Sequence, residues 1–146
     1  MSGQLEEIYR DYLAALNDRR FGDLDRFVHD RLTYNGQEWT RDRYRELLRA
    51  DVQAVPDLHY EIQLLVVQPD QVACRLWFDC TPRQEFLGID AGGRRVSFAE
   101  HVFYRFRANR IAHVWSLIDT DGIRRQLSAP SADRSAYPDA HTAESP

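Results

Sequence analysis

Apolar side chains near the start of the chain recur at the spacing of a helix. From Leu5 to Leu16 they occupy positions i, i+3, i+4, i+7, i+8 and i+11, which predicts an amphipathic helix over residues 4–18. A second, short helix is expected over residues 21–28, because acidic residues fall in its first turn, where the helix dipole favours them. The first part of the chain is therefore predicted to be helical.

A strand hairpin and a third helix follow. Within residues 32–39, an Asn-Gly pair between apolar positions is a strong turn signal and predicts two short strands. Thr40 is a suitable N-cap for the next helix, whose apolar side runs from Tyr44 to Val55. Pro56 cannot continue a helix, so we expect the helix to end before it.

After the third helix the hydrophobic pattern changes from helical to alternating. It predicts four long strands that return on one another as an antiparallel meander, at residues 58–66, 72–79, 96–106 and 110–119, with a closing helix that ends near Leu127. Helices ahead of a meander are typical of an α+β fold in which helices cover one face of a curved sheet. If the helices do not fill the concave face, a closed pocket remains there.

The chain is predicted to be one domain with a tail. A length of 146 residues suits a single core, which we place at residues 1–128. Residues 129–146 are rich in Ser, Ala and Pro without periodicity, and they predict a flexible C-terminal tail. Cys74 and Cys80 lie in one predicted strand, about 20 Å apart at the usual rise, so they cannot pair with each other.

The charges exclude several classes of function. The chain has 19 basic and 23 acidic residues with the signs interspersed, so we expect neither a nucleic-acid nor a membrane partner. All the basic residues are arginine, which excludes lysine nucleophiles and Schiff bases. No signal peptide or membrane span is evident, and a cytoplasmic location is expected. Acid–base chemistry must therefore use Asp, Glu, His or Tyr.

No cofactor or metal is expected, because the chain has no nucleotide-binding glycine motif, no serine-hydrolase motif and no histidine spacing suited to zinc. A small hydrophobic molecule is the expected ligand. The apolar side of the strand over residues 58–66 carries Leu58, Tyr60, Ile62 and Leu64. If helices leave that side uncovered, a partner is required, and a homodimer is the commonest solution.

Asp119 is the main candidate for chemistry. It ends the run 111–118, which is apolar on both faces and predicts a strand shielded from water on both sides. A carboxyl group beside apolar side chains can be desolvated and can act as a base. However, residues 120–122 carry turn and cap residues, and an Asp at a strand-to-helix junction is usually a cap or turn residue.

The neighbours of Asp119 follow from strand alternation. Trp115 shares its face and would form a wall of a pocket that touches it. On the preceding strand, Glu100 and His101 point in opposite directions, so that one of them at most can face the cavity. Asp79 is a further acid that could assist Asp119.

Four segments, PDLHYEI, GRRVSFAEHVFYRF, RIAHVWSLID and IRRQL, resemble the SnoaL-like polyketide cyclases, often labelled ester cyclases, of the NTF2-like fold. The resemblance covers about residues 4–128. It implies a cone with a strongly curved, mostly antiparallel sheet and N-terminal helices over the concave face. It also implies cofactor-free intramolecular aldol condensation, with Asp119 as the acid/base. One departure is Cys80-Thr81-Pro82, where many relatives have Gly-Thr-His.

These inferences combine into one expected mechanism and two alternatives. Asp119 removes a proton from a carbon flanked by carbonyls, and His101 or Tyr34 donates a hydrogen bond to the enolate. The expected pocket walls are Trp115, Trp77, Tyr34, Phe98 and Tyr104. The alternatives are an isomerase, dehydratase or epoxide-opening enzyme that uses a pair of acids, and a non-catalytic ligand-binding homodimer.

Overall fold

The computed structural model describes residues 2–129. In that part of the chain the elements are α1 (Ser2–Asn17), a 3₁₀ helix (Phe21–Arg26), β1 (Val28–Tyr34), β2 (Gln37–Thr40), α2 (Arg41–Ala54), β3 (Glu61–Val67), β4 (Gln71–Cys80), β5 (Val96–Arg107), β6 (Arg110–Ile118) and α3 (Thr120–Ser128). The predicted order of helices and strands is confirmed. Apart from residue 129, the predicted tail lies outside the described residues.

The six strands form one curved sheet in the order β2-β1-β6-β5-β4-β3. All neighbouring pairs are antiparallel except β1 and β6, which run parallel. The α+β class and the mostly antiparallel sheet are therefore confirmed. The parallel pair attaches the N-terminal hairpin to the last strand, and it was not predicted, because alternation within a strand carries no information about a distant partner.

The helices cover the inner face of the sheet. Tyr9 and Tyr12 of α1 are almost fully buried, and their ring centroids lie 5.0 and 6.1 Å from that of Tyr104 on β5. Tyr44 of α2 joins them, since its hydroxyl is 2.7 Å from that of Tyr12. Burial of an aromatic side chain contributes about 1.5–3 kcal/mol. Both helices are therefore fixed to one side of the sheet.

The predicted start and end of the third helix, α2, are also confirmed. Thr40 caps α2, because its side-chain oxygen accepts a hydrogen bond from the backbone N–H of Arg43 at 3.1 Å. The helix ends at Ala54, before Pro56.

Cys74 and Cys80 are both buried on β4 and both are unpaired. Burial raises the pKa of the Cys80 thiol to about 12, which leaves it protonated and unreactive.

The predicted alternation of side chains along β3 is wrong for the second half of the strand. Leu58 and Tyr60 are buried, whereas Leu64 is 60% exposed and Val66 is 48% exposed. The pairing with β4 shifts register between Ile62 and Leu64. A bulge of one residue moves every later side chain to the opposite face, so a regular alternation in the sequence does not continue in the structure.

Within a single chain, only the inner face of β6 is shielded, although the sequence predicts shielding of both faces. Val114 is buried on the inner face, but Trp115 is 41% exposed and Leu117 is 75% exposed. These two side chains lie on the outer face, which no helix of residues 2–129 covers. Helix packing within residues 2–129 therefore does not account for the apolar character of that face.

Asp119 begins α3 as its N-cap. Its Oδ1 accepts a hydrogen bond from the backbone N–H of Gly122 at 2.9 Å, and its own N–H donates to the carbonyl of Ala99 at 3.1 Å. Gly122 is suited to this contact, because a Cβ atom at that position would collide with the Asp119 carboxylate. The cap thus depends on a glycine three residues later.

We predict that Asp119 and Gly122 are energetically coupled. Gly122→Ala gains about 1 kcal/mol of helix propensity but loses a cap worth about 0.5–2 kcal/mol, so its net effect in the wild-type chain is near zero or unfavourable. In an Asp119→Ala background no cap remains to lose, and the same substitution should stabilise the protein. Urea denaturation of the four variants measures this coupling; a coupling energy of zero would contradict it.

Candidate active site

A cavity of about 90 Å³ lies between α1, α2 and the inner face of the sheet. Its polar wall comprises five tyrosines, Ser116 and the carboxyl groups of Asp51 and Glu100, the tyrosines being Tyr12, Tyr34, Tyr44, Tyr60 and Tyr104. Leucine, valine and isoleucine side chains complete it. The cavity therefore combines two acids with several hydroxyl groups in a mostly apolar enclosure.

Strand and helix periodicity bring the two acids together. Glu100 is on β5 and points inward with Val102 and Tyr104, which alternate with exposed residues. Asp51 is in the last turn of α2, seven residues after Tyr44, and it therefore falls on the apolar side of that helix. Each acid replaces an apolar residue in a core-facing pattern.

Glu100 is held by one short hydrogen bond. The Ser116 hydroxyl of β6 donates to Oε2 of Glu100 at 2.5 Å. Burial raises the pKa of Glu100, and the hydrogen bond from Ser116 acts in the opposite direction. The side chain is thus a desolvated acid with a fixed orientation.

Burial also changes the pKa of Asp51. Its pKa is raised to about 7, first by desolvation and second by the negative charge of Glu100. The charge of Glu100 thus acts on Asp51, and Asp51 is partly protonated near neutral pH. A carboxyl group with a pKa near 7 is suited to accept and donate protons in catalysis at physiological pH.

The tyrosines supply neutral hydrogen-bond donors. Burial raises the pKa of Tyr12, Tyr44, Tyr60 and Tyr104 well above 10, and that of Tyr34 is raised for the same reason. These phenols stay protonated at neutral pH. Their O–H groups can donate to a carbonyl oxygen or to an enolate formed in the cavity.

Of the five predicted pocket residues, Tyr34 and Tyr104 line the cavity. Phe98 does not line it but belongs to the core, with its ring stacked on Phe78 at a centroid distance of 5.1 Å. Trp77 is half-buried on the opposite side of β4 from its buried neighbours. The residues that line the cavity and those that do not differ in strand parity and depth, which the sequence pattern did not resolve.

Trp115 and His101 lie on the outer face, away from the cavity. The Trp115 ring stacks on His113 at a centroid distance of 5.4 Å. His101 is exposed, and its Nε2 is 2.8 Å from the Arg75 guanidinium. Since Glu100 points inward, its neighbour His101 must point outward, and the open choice between these two residues is thereby decided.

Asp119 is exposed and is not part of the cavity wall. It shares the outer parity of Trp115 and Leu117, and its carboxylate is engaged as the cap of α3. The desolvated position expected for it is therefore not observed, and the alternative of a helix cap is. A catalytic role for Asp119 stays a prediction without a contact to this cavity.

Sequence reasoning missed Asp51 entirely and named Glu100 as an alternative. The signal for Asp51 was present, because it continues the spacing of Tyr44, Leu47 and Leu48 on the core-facing side of α2. A carboxyl group in an apolar stripe is costly unless it serves a purpose.

Within residues 2–129, no group of three or more His, Cys, Asp or Glu side chains is arranged to hold a metal ion. In the same part of the chain, no helix has the length and apolar character that crossing a membrane requires.

The chain is similar to known proteins along most of its length. The family model of the SnoaL-like polyketide cyclases matches residues 6–127. A SnoaL-like polyketide cyclase from Agrobacterium tumefaciens is 43% identical, with a TM-score of 0.82, and the match covers 84% of this chain and 97% of that one. TsrD from Streptomyces laurentii is 26% identical, with a TM-score of 0.78 and coverage of 89% and 98%.

A more distant structure shows the same fold. IdmH from Streptomyces antibioticus is 20% identical, with a TM-score of 0.76 and coverage of 86% and 99%. No match was found among curated proteins. The expected NTF2-like architecture is confirmed. The chain belongs to the SnoaL-like polyketide cyclase family, and this membership indicates an enzyme of the cyclase or isomerase type.

Proposed function

We propose that this protein closes a ring in a polyketide-like or other small hydrophobic carbonyl compound by intramolecular aldol condensation, and that Asp51 and Glu100 transfer the protons. One observation carries the assignment: two carboxyl groups face one tyrosine-lined cavity, and the pKa of Asp51 is raised to about 7. Family membership supports the reaction class.

The reaction needs a base and an acid in turn. The ionised member of the carboxyl pair removes a proton from a carbon between two carbonyls, and tyrosine O–H groups donate to the enolate oxygen that forms. The enolate carbon attacks a second carbonyl carbon of the same molecule, which forms the new C–C bond. The resulting alkoxide takes a proton from the protonated carboxyl, and the pair returns to its starting state.

The size of the cavity limits what it can enclose. Its volume of about 90 Å³ is well below the roughly 300–1,000 Å³ typical of sites that enclose a whole ligand. We infer that it takes the reacting end of the substrate. Tyr34, Leu47 and Leu87 are half-buried residues of the cavity wall, and we infer that the remainder of the substrate lies beside them.

The acid pair also supports the alternative of an isomerase, a dehydratase or an epoxide-opening enzyme. In these reactions a protonated carboxyl donates to a leaving or ring oxygen while an ionised one removes a proton or activates water. The products separate the cases, since aldol closure retains the mass of the substrate and forms a ring, whereas dehydration loses water. The non-catalytic alternative agrees with the capping role of Asp119 but leaves the buried acid pair without a purpose.

We also propose that a second copy of the chain covers the outer face of the sheet. Leu64, Val66, Phe103, Trp115 and Leu117 are all at least 41% exposed there. Phe103 lies directly opposite Trp115 in the β5–β6 pairing, and Ala73 of β4 is opposite Phe103, so the patch is continuous across strands. Patches of this kind are typical of interfaces, and a homodimer covers one with a single symmetric contact. The cytoplasmic location stays a prediction.

The first prediction concerns activity. Asp51→Asn and Glu100→Gln should each lower kcat/KM by about 100-fold or more, because general acid–base catalysis contributes roughly 10²–10⁴-fold. Asp119→Asn should stay close to wild type, because asparagine is as good an N-cap as aspartate. Turnover of a linear β-polycarbonyl compound, followed by mass spectrometry, measures all three. Loss of activity in a folded Asp119→Asn variant, with Asp51→Asn active, would restore the assignment made from the sequence.

The second prediction concerns stability and pH. The pKa of Asp51 is higher in the folded chain, about 7, than its ordinary value of 3.8, so folding favours the protonated form. Its stabilising contribution is complete below pH 3.8 and is lost as the pH rises through about 7. Asp51→Asn should therefore stabilise the protein by about 2–4 kcal/mol at pH 8.5, and much less near pH 4.

Urea denaturation at the two pH values tests this gain in stability. Asp42→Asn is the matched control, because Asp42 lies on the same helix with its side chain 87% exposed. This control should not gain stability at pH 8.5. If Asp51→Asn is no more stable than wild type at pH 8.5, Asp51 does not carry the penalty of a buried charge.

The third prediction concerns assembly. Wild-type protein should elute at twice the monomer mass of 17.1 kDa, and Leu117→Glu should shift it to the monomer, because the new charge would be buried in the interface. Size-exclusion chromatography with light scattering measures the mass. Ala14→Glu adds the same charge at an exposed position of α1 and should leave the dimer intact. A monomeric wild-type protein at high concentration would refute the dimer.

A further inference from the structure

We propose that Asn35 and Ser116 form a positioning arm that fixes the carboxyl group of Glu100 in the cavity. Neither residue needs to contact the reacting atoms. The arm itself is a structural property of the chain, and only its effect on turnover rests on the proposed function.

The arm begins in the turn between β1 and β2. Asn35 has a φ of +49°, in the left-handed region that asparagine and glycine tolerate best. From there its backbone N–H donates to the Val114 carbonyl at 2.9 Å, and its side-chain Oδ1 accepts from the Ser116 N–H at 2.8 Å. Asn35 thus forms two hydrogen bonds with β6, just beyond the end of the parallel β1–β6 pairing.

Ser116 carries the arm to the next strand. In the β5–β6 register Ser116 lies opposite Val102, and Glu100 is two residues further along β5 on the same inner face. Diagonal neighbours of this kind are within side-chain reach. The Ser116 hydroxyl donates to Oε2 of Glu100 at 2.5 Å. Asn35 therefore fixes the backbone at Ser116, and the Ser116 hydroxyl in turn fixes the carboxyl group of Glu100.

The two oxygens of Glu100 consequently have different surroundings. Oε2 accepts the hydrogen bond from Ser116, and that bond does not engage Oε1. Since Glu100 lines the cavity, Oε1 is the oxygen available to a ligand. One oxygen is bound to the scaffold and the other is free for chemistry, which is the arrangement that a reacting carboxylate needs.

Carboxyl ¹³C NMR of the full chain tests the arm without any substrate. In Ser116→Ala, Glu100 loses the hydrogen bond that favours its ionised form, so its apparent pKa should rise relative to wild type. Asn35→Gly keeps the left-handed turn but removes the side-chain acceptor, and it should shift the Glu100 titration in the same direction by less. Ser116→Thr restores a hydroxyl and should restore the wild-type titration.

Ser97→Ala is the matched control. Ser97 is also a strand serine whose hydroxyl donates to a carboxylate, Asp79 at 3.0 Å, but at an exposed site. Its loss should leave the Glu100 titration unchanged. An unchanged Glu100 titration in a folded Ser116→Ala variant would overturn the proposal. If Ser116→Ala does not fold, the same result in Asn35→Gly would do so.

Kinetics separate the arm from the proposed function. With Glu100 misplaced, Ser116→Ala should lower kcat by roughly 10- to 100-fold with little change in KM, and the pH profile should follow the NMR titration. If the titration shifts as expected while Glu100→Gln stays fully active, the arm is real and the catalytic assignment of Glu100 is wrong. If the titration does not shift and Glu100→Gln is inactive, the arm is overturned and the assignment survives.

Discussion

The contact of Tyr9 and Tyr12 with Tyr104 determines which side of the central strand becomes the interior. Both α1 rings lie within about 6 Å of the Tyr104 ring, and all three side chains are at most 4% exposed. Once Tyr104 points inward, alternation places Glu100 inward and His101 outward. The chemistry available in the cavity, and the residues left outside it, thus depend on the packing of α1 against β5.

This packing imposes a cost that the rest of the core must offset. A buried carboxyl is unfavourable in its charged form, and two in one cavity repel each other. The hydrogen bond from Ser116 to Glu100 offsets part of this cost. The pKa of Asp51, raised to about 7, shows that burial still disfavours its charged form. The same desolvation that destabilises the charged fold makes Asp51 an effective proton carrier near neutral pH, which is a common compromise at active sites.

Local order was largely predictable from the sequence, whereas long-range order was not. The helix starting near Leu5, the Thr40 cap and the four long strands follow from periodicity and cap chemistry. The parallel β1–β6 pairing and the bulge after Ile62 do not, because they depend on which segments meet in space. Asp51 was not predicted for a different reason: it is a single acid within an apolar stripe, and one polar residue does not alter the periodicity that defines a helix.

The exposed position of Asp119 can be traced to β6, the strand that it follows. Both faces of that strand are apolar, with Val114 and Ile118 on one side and Trp115 and Leu117 on the other, so its sequence alone cannot tell which side meets the helices. A strand with two apolar faces in a sheet with one helical layer implies that something else covers the second face. If a second copy of the chain does so, Asp119 lies beside the edge of that contact, and its carboxylate is already committed to starting α3. The residue pattern that suggested a pocket around Asp119 is then better explained by two different interfaces on the two sides of one strand.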